Sequence, residues 1–186
     1  MAGHTVVDTV LKTIVTGPSR YLLINAPRRA TITRDIIMKI FEVTNNNELY
    51  YHGSYDPLEV GTILTPRGNY EENWKDTDFY WPLEKYRPKN MLSHKESVFM
   101  VSDPDDVDLS GGATDYLLTV KPLGPIQKHD LNWSSEISGL VDQGYDIDGE
   151  EIKDAATNYW NGVPHYNESV WEFLTTKAKV VAVEEY

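Results

Sequence analysis

From residue 48 onward the chain breaks into short runs of β-forming residues, and this pattern constrains its fold more than any other feature. Runs at Leu49–His52, Ser97–Val101, Tyr116–Lys121, Val170–Leu174 and Lys179–Glu184 are rich in side chains that suit a pleated surface. One well-marked amphipathic helix stands among them. Asp148-Gly149-Glu150-Glu151 leads into Ile152, Ala155, Ala156, Tyr159 and Trp160, and Gly162 and Pro164 stop it. Strands in series with separate helices predict an α+β domain. The stretch Thr65–His94 carries many aromatics and turn formers but little periodicity. It reads as a long loop with short ordered pieces, and loops of that length in a compact domain often carry function.

The N-terminal part has a different pattern. Val7, Val10, Leu11 and Ile14 recur at helical spacing up to Gly17-Pro18, and Tyr21 to Ile24 suits a short strand. Ile32, Ile36, Ile37, Ile40 and Phe41 then make one apolar face of a helix over Thr31–Glu42, with Thr31 or Thr33 as its cap. Asn45-Asn46-Asn47 closes this part. The expected organisation is therefore a helical N-terminal region at 1–47 and a strand-rich domain at 48–186.

Charge and cysteine usage exclude several classes. The formal net charge is −12, which disfavours nucleic acid and anionic membrane surfaces, since both need clustered Lys and Arg. A basic protein face, or a small anion held locally, remains compatible. There is no cysteine, so disulfides, thiolate catalysis and cysteine-based zinc sites are excluded. With no signal peptide and no long apolar run, the expected location is the cytoplasm, bacterial or of an infected host.

Three elements carry candidate chemistry. The first is Tyr51-His52-Gly53-Ser54, a strand end where glycine permits close backbone approach to a flat ligand and an imidazole can reach a sugar hydroxyl. The second is Ser97-Val98-Phe99-Met100-Val101-Ser102, followed by Asp115-Tyr116 to Lys121-Pro122 and Gly124-Pro125. The third is Glu168-Ser169-Val170-Trp171-Glu172-Phe173-Leu174. Each has a plainer alternative: a turn after a strand for His-Gly, and a solvated edge charge for Glu172. Ser102-Asp103-Pro104-Asp105-Asp106 is acidic but lacks the glycine and distal glutamate of a calcium loop, so it reads as a solvated turn and no metal site is expected. His94, His129 and His165 show no ligand spacing and read as surface histidines.

The order of the three elements resembles the NAD-dependent ADP-ribosyltransferase superfamily, particularly its small bacterial and phage members. The run Val98–Pro125 is similar to the rifampin ADP-ribosyltransferase layout. The resemblance covers roughly residues 49–186. It implies split antiparallel sheets around a cleft, with the N-terminal helices on one side and His52 facing Glu172 across the cleft. It also implies an enzyme that takes NAD as substrate and modifies a macromolecular, in all expectation protein, acceptor with a basic face. Glu172 and His52 would be catalytic, with Glu168 and Asp115 as rivals for the key acid. Tyr51, His52, Gly53, Ser54, Ser102 and Tyr116 would bind NAD, His52 holding a ribose hydroxyl and Gly53 the nicotinamide amide. Tyr55, Tyr80 and Tyr116 are candidates to stack on the nicotinamide ring. Arginine-modifying members carry Glu-x-Glu, and Val170 stands two before Glu172 here, which counts against arginine as the acceptor. The alternative is a non-catalytic acidic binding or inhibitory module on the same fold.

Overall fold

The computed structural model describes residues 48–165 and 169–186; the expected region 1–47 and the rival acid Glu168 lie outside them. Seven strands form one antiparallel sheet: β1 (Tyr50–Ser54), β2 (Ile63–Leu64), β3 (Val98–Val101), β4 (Tyr116–Pro122), β5 (Gln127–Asp130), β6 (Trp171–Thr175) and β7 (Ala178–Glu185). Their order across the sheet is β2-β7-β4-β1-β3-β6-β5. The α+β architecture follows the strand pattern of the sequence. The two separate sheets that were expected are instead one continuous sheet with a weak seam. Strand β1 pairs with β4 along its whole length, from Tyr50↔Val120 to Ser54↔Tyr116. Towards β3 it makes only the pair Tyr51↔Val101.

Side chains alternate across a strand, so the register sorts them onto two faces. Tyr50, Val98, Met100, Leu118, Val120, Phe173, Ala178 and Val180 form an apolar cluster on one face. The opposite face carries Leu174 and Phe99 and packs on helices α2 (Tyr80–Tyr86), α3 (Asn132–Asp142) and α4 (Glu150–Trp160). Helix α4 buries the stripe Ile152, Ala155, Ala156, Tyr159 and Trp160 that its sequence spacing requires. Glu150 and Glu151 occupy its first turn, where negative charge suits the helix dipole. The Trp160 indole N–H donates to the Leu83 carbonyl at 2.7 Å and ties α4 to α2. Beyond its end, Gly162 adopts φ +60°, and a β-carbon there would lie 2.7 Å from the Lys128 carbonyl oxygen.

The expected loop 65–94 contains α1 (Tyr70–Trp74) and α2, and a 3-10 turn at His94–Glu96 begins at its end. Helices of one or two turns are too short to display a periodic apolar stripe, which is why the sequence reads there as a loop. Strand β5, Gln-Lys-His-Asp, and helix α3 were not marked by the sequence. β5 is polar, and α3 contains Ser134, Ser135 and Gly139. Both are held by packing rather than by propensity. No helix among the described residues is long and apolar enough to cross a membrane.

Candidate active site

The open seam produces the main cleft, of about 470 Å³. Where β1 and β3 diverge, the His52 side chain takes over the pairing, its Nδ1 donating to the Phe99 carbonyl at 2.8 Å. A carbonyl can only accept, so in the neutral ring Nε2 keeps a bare lone pair. Burial lowers the His52 pKa and the Arg67 charge adds to this, against the raising effect of the Phe99 carbonyl. The imidazole is therefore a neutral acceptor suited to a hydroxyl donor. Arg67, Tyr70, Lys95 and Phe99 line the same cleft.

Gly53 lines the cleft, yet packing alone requires its missing side chain. A β-carbon there would meet the Ala113 carbonyl oxygen at 2.1 Å and Val107 at 2.7 Å. The 107–113 loop closes directly onto the strand end, which only glycine permits. The Ser54 hydroxyl is also buried and accepts from the Asp56 amide at 3.2 Å. The turn after β3 is braced by Asp103 Oδ1, which accepts from the Asp105 amide at 3.1 Å. Ser102 and Asp115 are exposed, and Tyr116 packs against the apolar cluster. Of the residues expected to hold NAD, the cleft lining thus includes His52 and Gly53 but not Tyr51, Ser54, Ser102 or Tyr116. Tyr55 is exposed at the rim, whereas Tyr80 is buried.

The aromatic residue that does stack at the cleft is Tyr70. Its ring lies on Phe99 (4.8 Å, 9° between planes) and on His94 (5.1 Å, 12°). Burial pushes its hydroxyl pKa well up, and the charges of Glu172 and Glu84 push it the same way, so the phenol stays neutral.

Glu172 does not face His52 across the cleft. The register row Tyr51↔Val101↔Glu172 places it with Leu174 on the helix-covered face, while His52 pairs with Leu118 on the other. An odd offset in register sends two side chains to opposite faces, and no sequence spacing reveals that offset. Nor is Glu172 an edge charge: it is 3% exposed. The Tyr159 hydroxyl donates to its Oε1 at 2.6 Å. Burial raises its pKa, opposed by the His94 charge and by the Tyr159 hydrogen bond.

Two of the expected surface histidines are core residues. His94 is 2% exposed, with Nε2 at 2.8 Å from the Tyr159 hydroxyl and Nδ1 at 2.7 Å from Glu84 Oε1. Glu84 also accepts from the His94 amide at 3.0 Å and from Arg87 Nε at 3.1 Å. Its pKa is pushed up by burial, but the hydrogen bonds and charge of His94 and the Arg87 bond win and hold it at about 2. His129 stacks on the Tyr159 ring at 4.6 Å and donates from Nδ1 to the Tyr159 carbonyl at 3.0 Å. Its Nε2 is buried without a hydrogen-bond partner, and burial lowers its pKa to about 4. These histidines were missed because their partners lie far along the chain, 65 residues away for His94 and Tyr159. Among the described residues, no three His, Asp or Glu side chains gather as a metal site.

Neither a protein-family model nor a curated protein sequence matches the chain.

Proposed function

We propose that the seam cleft is a dinucleotide site and that the protein is an NAD-dependent mono-ADP-ribosyltransferase acting on a protein acceptor. The observation that carries this reading is a concave cleft at the seam together with a desolvated carboxyl group, Glu172, on the neighbouring strand β6 behind the cleft wall. The cleft has a neutral histidine acceptor and two cationic side chains, Arg67 and Lys95. The charge of Glu172 acts on the hydroxyl of Tyr70, the ring of which stacks on Phe99 at the cleft. Arg67 and Lys95 suit the pyrophosphate, and the bare His52 Nε2 suits a ribose hydroxyl. The face of Phe99 that Tyr70 now covers offers a flat nicotinamide ring a stacking surface once Tyr70 moves aside.

The chemistry needs the carboxylate. As the ribose–nicotinamide bond breaks, its electron pair leaves with nicotinamide and positive charge develops on the sugar. A fixed anion beside the sugar stabilises that charge more in the transition state than in the ground state. The acceptor's nucleophile then bonds to the sugar carbon and loses its proton. The net charge of −12 favours a basic face on the acceptor protein.

The test is incubation with isotope-labelled NAD and a lysate, comparing wild type with Glu172→Gln. Label on a discrete protein, reduced by about 100-fold or more in the variant, is the expected result. Absence of both NAD consumption and an NAD-dependent thermal shift sinks the reading. One observation favours a second reading, a non-catalytic nucleotide-binding module: Glu172 is closed off by its own packing. An equal NAD-dependent thermal shift in wild type and Glu172→Gln, with no consumption in either, selects that module.

A further inference from the structure

We infer that Glu172 shares a single proton with His94 through Tyr159, and that Glu84, His94 and Tyr159 are positioning residues that set its charge. The consequence for catalysis rests on the proposed role of Glu172; the shared proton stands on the hydrogen-bond chain and on the ionised Glu84 at its end. The chain is continuous: Glu84 Oε1 to His94 Nδ1 at 2.7 Å, His94 Nε2 to the Tyr159 hydroxyl at 2.8 Å, and that hydroxyl to Glu172 Oε1 at 2.6 Å.

Donor accounting fixes what this chain can hold. Glu84 is ionised, so it only accepts, and His94 Nδ1 carries a proton towards it. Two arrangements then pair every link. In one, His94 Nε2–H donates to the Tyr159 oxygen and the Tyr159 O–H donates to an ionised Glu172. In the other, a protonated Glu172 donates to the Tyr159 oxygen and the Tyr159 O–H donates to a bare His94 Nε2. They interconvert when the His94 proton passes to Tyr159 as the Tyr159 proton passes to Glu172, with the net charge unchanged. One proton more leaves both neighbours donating to the Tyr159 oxygen, and the tyrosine's own proton then has no acceptor in the chain. One proton fewer gives the single Tyr159 proton two acceptors to serve. In a buried site a broken pairing is costly. The chain therefore favours one proton count, with the single proton held between Glu172 and His94.

Other titratable groups border the chain without joining it. Tyr70 on α1 and Tyr80 on α2 are phenols whose pKa values are raised. Arg87 caps the outer oxygen of Glu84. His129 on β5, the register partner of Glu172, is held neutral by burial. Positive charge developing beside Glu172 favours the arrangement with the proton on His94, so the carboxylate becomes fully ionised when the sugar needs it.

The test follows the Glu172 carboxyl carbon by NMR in the full chain with carbon-13-labelled glutamate, the resonance being identified as the one lost in Glu172→Gln. In Tyr159→Phe, which keeps the ring but cuts the link, the Glu172 titration should move up by about one pH unit. His94→Gln should move it further, and Glu84→Gln, at the partly exposed end, should also displace it. An unchanged Glu172 titration in those of the three variants that remain folded by circular dichroism overturns the inference. NAD consumption against pH is read on the same proteins. If the carbon titration moves while wild type consumes no NAD, the shared proton stands and the enzymatic reading falls.

Discussion

On one face of the sheet Leu118, Val120, Met100 and Val180 pack as hydrocarbon, each at most 1% exposed. On the other, Ile137, Tyr159 and Trp160 are as deeply buried, but they enclose the carboxyl of Glu172 and the imidazoles of His94 and His129. The same backbone therefore supports two cores with different sensitivities. The cluster of Leu118, Val120, Met100 and Val180 loses stability through lost contacts and cavities. The polar face can also lose it through unpaired groups and protonation. A fold that needed stability alone would have little use for the second kind of core, and the cleft opens beside the elements that build it.

The difference can be broken most strongly on the hydrocarbon face. Leu118→Ala should cost about 2–5 kcal/mol in urea unfolding, and a loss well below that range would mean that this face is not tightly packed. On the polar face, His129 sharpens the contrast. Its folded pKa of about 4 lies below the ordinary 6.5, so the unfolded chain takes up a proton that the folded chain resists. Its contribution is fully present above pH 6.5 and is lost as pH falls towards 4, by about 3 kcal/mol at most. Glu172, whose pKa is raised, acts in the opposite sense. The His129 part is therefore the difference between wild type and His129→Asn, and equal slopes in the two would refute it. The smallest effect belongs to the surface. Lys85 Nζ meets Asp148 Oδ1 at 2.5 Å in full view of solvent, and Asp148→Asn should leave the urea midpoint unchanged.

Much of the frame was legible in the sequence. The runs at Tyr116–Lys121, Val170–Leu174 and Lys179–Glu184 became β4, β6 and β7 within a residue or so at each end, because β-branched and aromatic alternation is a local signal. The stripe from Ile152 to Trp160 became α4 for the same reason. The site was legible only in part. His52 and Gly53 do line the cleft, but the glycine is required by the loop packed on it rather than by a ligand. Phe99 was marked only as a strand residue, Tyr70 only as one aromatic in a loop, His94 as a surface histidine, and Glu84 not at all. Their meaning comes from each other, through stacking and hydrogen bonds between separate elements.

The sequence by itself determined the α+β class, the main strands, the α4 helix and the acidic surface, since each depends on residue type and short-range spacing. Tertiary structure alone decided that β1 would part from β3 after Tyr51 and that Glu172 would lie on the face opposite His52. It also decided that two histidines would be buried, one of them bonded to a tyrosine and a glutamate. Register and burial arise from pairings between distant segments, and a one-residue difference in pairing moves a side chain through the sheet.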